Sequence, residues 1–295
     1  MDIYEELAGD STQINQNSLD WGIVRMGNVT GSRFQDVITK QELHKIYSLT
    51  GKEPERISKG GQLIIDFLKT KPEAMEPEII EACKLGSASS IATLEKAEVV
   101  ARREVSQNYK LTKGANSYLN HILAEMVAGQ PINDVKSHVI DWGNKYEDQA
   151  RREYRAYLQK INNDPMFDVI ETGFHTIEGH KIGCSPDGIN SDGKGIPEFK
   201  CPFSEAVHMG YFRKDIKDLF GIPAEYFAQC IGNAWVLKKV YCDFVSFNPR
   251  VKGKFRLIVR RVYLRDIPAY VQNLQRCVFS FERILKQEVE RLQIT

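Results

Sequence analysis

The sequence predicts an α/β fold, and three observations carry that reading. Helical periodicity runs through residues 116–128 and 138–160, and the period then shortens to strand-like segments at 169–176, 179–184 and 196–201. A mostly apolar helix from Ala224 to Lys238 follows, then two strands, Tyr241 to Phe247 and Phe255 to Tyr263, around Asn248-Pro249-Arg250. A long amphipathic helix from Ile267 to Leu292 closes the chain.

Ahead of this core, residues 17–40 read as two short helices broken at Gly27, with Thr30-Gly31-Ser32 as a start signal before Phe34, Val37 and Ile38. Residues 41–108 are charged and helical in pattern, interrupted by Gly60-Gly61, Pro72 and Pro77. They read as a helical insertion within one domain spanning 1–295.

At 295 residues and 42% hydrophobic, the chain can fill a sizeable core. There is no apolar run long enough to span a bilayer, and the first ten residues are acidic rather than basic and then apolar, so neither export nor membrane insertion is expected. The six cysteines are scattered, with no C-x-x-C and no zinc or iron–sulfur spacing. They read as reduced core residues of a cytoplasmic protein. A net charge of +1 does not by itself announce a polyanion partner.

The chemistry concentrates in Cys184-Ser185-Pro186-Asp187-Gly188, a glycine-rich turn, and Ile196-Pro197-Glu198-Phe199-Lys200-Cys201-Pro202. Residues two apart on a strand share a face, so Glu198 and Lys200 point one way and Phe199 the other. If the two segments pair as a hairpin, Asp187 comes within roughly 5 Å of them, a separation at which two carboxylates can share a divalent cation. A lysine beside such an ion can position water or stabilise charge at phosphorus. A solvated surface hairpin would show the same three residues, so they do not decide the matter alone.

Three further features converge on the same chemistry. Glu147 falls within a helical stripe of Gly143, Ala150, Tyr154 and Leu158. A carboxylate there needs compensation, either from a metal site or from an arginine partner. Glu225, Gln229 and Asn233 form one polar line along an otherwise apolar helix, facing either solvent or a polar cleft, and Gln229 is a candidate for positioning water or phosphate. Arg25, with the hydroxyls and N–H groups of Thr30-Gly31-Ser32, can form a phosphate pocket or simply a capped helix start with a surface arginine.

Taken together, Trp21…Arg25-Met26-Gly27…Thr30-Gly31-Ser32, Asp141-Trp142-Gly143-Asn144-Lys145-Tyr146-Glu147-Asp148-Gln149-Ala150-Arg151, Ser185-Pro186-Asp187-Gly188, Glu198-Phe199-Lys200-Cys201-Pro202, Tyr226-Phe227-Ala228-Gln229-Cys230 and Phe247-Asn248-Pro249-Arg250 resemble the lambda-type phage recombination exonucleases, a branch of the PD-(D/E)XK nuclease superfamily. The resemblance covers residues 15–40 and about 110–290. It implies a restriction-endonuclease-like α/β core with a central mixed sheet flanked by helices. It also implies Mg2+-dependent digestion of the 5′-ended strand of linear duplex DNA, with Mn2+ as a substitute, a trimeric ring around DNA, and a single-strand annealing partner. The host cytoplasm of a phage or mobile element is the implied setting.

By the same resemblance Asp187, Glu198 and the Phe199 carbonyl are metal ligands, Glu147 helps hold a second metal, Lys200 is the catalytic lysine, and Gln229 lies alongside. Arg25, Ser32 and Ser185 are implied as the pocket for a 5′-phosphate. The stretch 41–108 exceeds the family's short connection, and Cys230 stands where a second polar residue often sits. An endonuclease or resolvase of the same superfamily would share the acids and lysine but lack the end pocket. A non-catalytic DNA-binding relative would have lost one of Asp187, Glu198 or Lys200, and all three are present.

Overall fold

The computed structural model describes residues 11–16, 18–38, 63, 67, 109, 111–132, 138–213 and 219–294. The insertion expected over 41–108 lies outside the described residues, isolated positions apart.

Helix α1 (Leu19–Arg25) begins where the Ser18 hydroxyl accepts the Trp21 N–H at 3.1 Å. It ends before Gly27, whose φ of 70° lies in the left-handed region that favours glycine. The second helix is much shorter than expected. Strand β1 (Val29–Thr30) intervenes, then a 3-10 turn at Gly31–Arg33 and the single turn α2 (Phe34–Val37). Thr30 does not cap, because its N–H and hydroxyl are both committed to the Tyr118 phenol at 2.8 and 3.1 Å.

Helices α3 (Lys113–Ala128) and α4 (His138–Asn162) precede the short strands β2 (Val169–Ile170), β3 (His175–Thr176), β4 (Ile182–Cys184) and β5 (Ile189–Asn190), and then β6 (Gly195–Lys200). Helices α5 (Glu205–Arg213) and α6 (Ala224–Val236), strands β7 (Tyr241–Phe247) and β8 (Leu257–Tyr263), and helix α7 (Pro268–Leu292) complete the order. The fold is mixed α/β, with helices packed around mixed sheets.

The expected hairpin between the Asp187 and Glu198 segments does not form. Strand β4 pairs parallel with β1 and antiparallel with β3, whereas β6 pairs parallel with β7, Glu198 opposite Phe244. A parallel pair needs a crossover, and α5 with α6 supplies it. Strand β8 adds antiparallel to β7.

Strand β7 is buried along its whole length, as its near-continuous apolar run requires. Its alternate residues serve two cores. Cys242 and Phe244 join Ile196 of β6 and the apolar faces of α6 and α7, while Val245 and Phe247 join Phe199 and the Ala150, Tyr154, Leu158 stripe of α4. The buried Asp243 is compensated by Arg261 Nε and Nη2 at 2.8 and 2.7 Å and by the Tyr154 hydroxyl at 2.6 Å. That link ties α4 to the sheet. No helix among the described residues is long and apolar enough to cross a membrane.

Candidate active site

One cavity of about 500 Å3 is lined by Asp187, Glu198, Lys200, Glu147, Gln229, Arg25, Ser32 and Ser185, so the fold brings together every side chain the sequence singled out for chemistry. Glu198 and Lys200 share the α6-facing side of β6, and Phe199 packs edge-on to Tyr154 on the other at 5.7 Å. Glu198 is fully buried. Lys200 Nζ donates to its Oε1 at 2.5 Å and Asn233 Nδ2 to its Oε2 at 3.1 Å.

Asp187 reaches this centre by its side chain rather than by strand pairing: its carboxylate accepts the Phe199 N–H at 2.6 Å. Glu147, on the second turn of α4 beyond Trp142, is half-buried, and Arg151 Nη2 donates to it at 2.9 Å and to the Asp187 carbonyl at 3.2 Å. Glu147 is therefore both an arginine partner and a wall of the cavity.

Three carboxylates around one partly dry space repel each other. Burial, and next the Asp187 charge, push Glu198 up to about 8 and Glu147 up to about 7. Burial also raises Asp187, against the pull of Lys200, the Phe199 N–H and Arg151. Burial works to deprotonate Lys200, but Glu198 and Asp187, where ionised, outweigh it and raise its hold on the proton. Such a cluster of oxygen donors with excess negative charge suits a hard divalent cation. Among the described residues no group of three or more His, Cys, Asp or Glu side chains is arranged to hold a metal ion by itself.

The polar line on α6 splits. Glu225 is exposed, Gln229 lines the cavity, and Asn233 is buried against Glu198. Asn233 was not among the residues expected to act, although its place as third member of that line was the available signal. Its Oδ1 lies so close to Gly31 that a Cβ there would fall 1.9 Å away.

At the other end of the cavity, Arg25 Nη2 donates to the Ser32 hydroxyl at 3.2 Å, and the guanidinium stacks 3.9 Å over the Trp21 ring. Trp21 Nε1 in turn donates to the Ser185 hydroxyl at 2.8 Å. The helix after Ser32 is a single turn and offers little dipole, so the charge here is that of Arg25. Burial lowers the proton affinity of Arg25, and its Nε has no partner among the described residues.

In a search of solved structures the chain is similar to an alkaline exonuclease from Laribacter hongkongensis, at 20% identity and a TM-score of 0.58, over 94% of this chain and 96% of that one. The same exonuclease in complex with dAMP matches at 19% identity and a TM-score of 0.57, over 94% and 96% of the two chains. A search of curated proteins finds no match. The likeness to the exonuclease speaks for the fold. A family model, the YqaJ-like viral recombinase domain, matches residues 85–239, which contain β6, α6 and all three acids of the cavity. Because that match spans more than half of the sequence, the chain belongs to the YqaJ-like viral recombinase family.

Proposed function

We propose that the chain is a divalent-metal-dependent deoxyribonuclease, an exonuclease that digests the 5′-ended strand of linear duplex DNA to prepare single strands for recombination by annealing. One observation supports this most: the acids and lysine suited to phosphodiester hydrolysis share a single cavity with a guanidinium and two hydroxyls suited to a terminal phosphate. The structurally similar Laribacter protein is named as an exonuclease, which agrees with the reading.

In this proposal Asp187, Glu198 and the Phe199 carbonyl hold Mg2+, or Mn2+ in its place, and Glu147 helps to hold a second ion. A bound cation would polarise the scissile phosphate and acidify the attacking water. Lys200, kept protonated by Glu198 and Asp187, stabilises the negative charge that develops on the phosphoryl oxygens. Gln229, partly exposed on α6, orients water or phosphate. Arg25, Ser32 and Ser185 receive the 5′-phosphate and so set which bond meets the acids. A trimeric ring around DNA and a single-strand annealing partner belong to the same reading. The test is to incubate the chain and Mg2+ with 5′-phosphorylated linear duplex and with covalently closed circles. Digestion of the linear substrate alone is expected, and ready cutting of circles would move the assignment to an endonuclease.

A further inference from the structure

Two motifs of the sequence take no part in this chemistry, Trp142 at the start of α4 and Asn248-Pro249-Arg250 after β7, yet they meet on the protein surface. The Arg250 guanidinium lies 4.5 Å over the Trp142 ring and 4.9 Å over Phe203. Trp142 and Phe203 pack edge to face at 5.1 Å, and Tyr146 lies 4.4 Å from Trp142 on the next turn. We propose that Phe203, Trp142 and Arg250 form a stacking platform for one unpaired nucleobase of the DNA strand whose phosphate occupies the cavity. This rests on the nuclease reading above.

The cluster is held in place before any ligand arrives. Asn248 Nδ2 donates to the Pro202 carbonyl at 3.0 Å, and Asn248 Oδ1 accepts the Arg250 N–H at 3.0 Å. Arg250 also donates to the Phe203 carbonyl and pairs through Nε with Glu205 at 2.9 Å. Little side-chain freedom is left to lose on binding. Despite that fixation, and beyond its contacts with Trp142 and Arg250, Phe203 remains 48% exposed, so part of the ring is open to a ligand. The platform is continuous with the cavity, whose wall includes Cys201 and Pro202, just before Phe203, and Gly143 and Asn144, just after Trp142. The Lys145 ammonium, 5.4 Å from the Tyr146 ring, favours a polyanion, while the charge of Arg250 is shared with Glu205. An aromatic face beside fixed cations, one step from a phosphate site, is the chemistry that holds single-stranded nucleic acid without reading its sequence.

The test measures binding of a 5′-phosphorylated duplex with an unpaired end to the Lys200→Ala variant in Mg2+, with and without Phe203→Ala, while abasic nucleotides replace the unpaired bases one at a time. Phe203→Ala should weaken the intact DNA about five- to 150-fold, and at one abasic position that loss should vanish. Phe203→Tyr, which keeps the ring, should bind as the parent does. Equal losses on intact and abasic DNA, or no loss, overturn the platform. Loss of self-association in Phe203→Ala with unchanged DNA binding overturns it too, in favour of a second copy of this chain. Failure of the unmodified chain to cut linear duplex defeats the nuclease reading itself, and is scored separately from the stacking measurement.

Discussion

Asn233 donates its side-chain amide to Glu198 at 3.1 Å while its other end abuts Gly31, in the turn that carries Ser32. One side chain therefore spans the acid centre and the turn proposed to receive a terminal phosphate. Because Asn233 is almost fully buried, it has nowhere to move. Gly31→Ala should force Asn233 off Glu198 and lower both activity and Tm, since a Cβ at Gly31 meets Asn233 Oδ1 at 1.9 Å. Adding Asn233→Ala to Gly31→Ala should recover part of the lost Tm by opening that space. A Gly31→Ala protein with unchanged Tm and activity would show that the two sites are not in steric contact.

The acid cluster also dictates a dependence on pH. Burial and the Asp187 charge push Glu198 up to about 8 and Glu147 up to about 7, against 4.5 for an ordinary glutamate. Across that interval the unfolded chain has already lost protons that the folded chain keeps, so stability falls as pH rises towards 8. His208 acts in the opposite sense below 6.5, because burial lowers its affinity for a proton. The difference between wild type and Glu198→Gln isolates the cluster. In a chelator, wild-type Tm should decline relative to Glu198→Gln as pH is raised, and added Mg2+ should stabilise wild type increasingly over the same range. A constant difference between the two proteins would mean that Glu198 is not held in repulsion.

How much of this was legible in the sequence depended on whether the determinant was local. Strand β7 and helices α6 and α7 follow from runs of apolar residues, and the shared face of Glu198 and Lys200 follows from strand geometry alone. The pairing of Val29 with Ile182 joins segments far apart in the chain, and nothing near either residue announces it. For the same reason a hairpin was expected where Asp187 instead bonds the Phe199 N–H through its carboxylate. Helix α2 is only one turn long, and Thr30, expected as its start signal, is instead bonded to Tyr118, on a helix that sequence position does not bring near.

The buried link beneath α4 offers a test of positioning. Asp243 is fully buried and depends on Arg261 and Tyr154 for its compensation, and Tyr154 lies on the helix that carries Glu147. Arg261→Leu should cost about 3–5 kcal/mol of stability, because it leaves a buried carboxylate without its cation. The joint change Arg261→Leu with Asp243→Leu should recover much of that loss. A small effect of the single change, read from chemical denaturation, would show that Asp243 is held mainly by Tyr154.

The last prediction concerns Arg25, which is proposed to distinguish cutting from an end from cutting within a strand. Its guanidinium is stacked on Trp21, bonded to Ser32 and largely withdrawn from water, and its Nε has no partner among the described residues. Burial disfavours its charge, so an arriving phosphate dianion would relieve that cost and gain a charge-assisted hydrogen bond. Such a contact contributes roughly 1.5–3 kcal/mol, or about one to two powers of ten in rate where it is expressed in the transition state. Wild type should therefore digest duplex with a 5′-phosphate faster than duplex with a 5′-hydroxyl by that factor. Arg25→Ala should be slow on both and no longer tell them apart, while Arg25→Lys, which keeps the charge but not the planar fork, should retain only part of the preference. Melting curves of the two variants separate this effect from loss of the stack on Trp21. Equal wild-type rates on both ends would remove Arg25 from the end-binding role and leave the acids and Lys200 as a site without a means of finding termini.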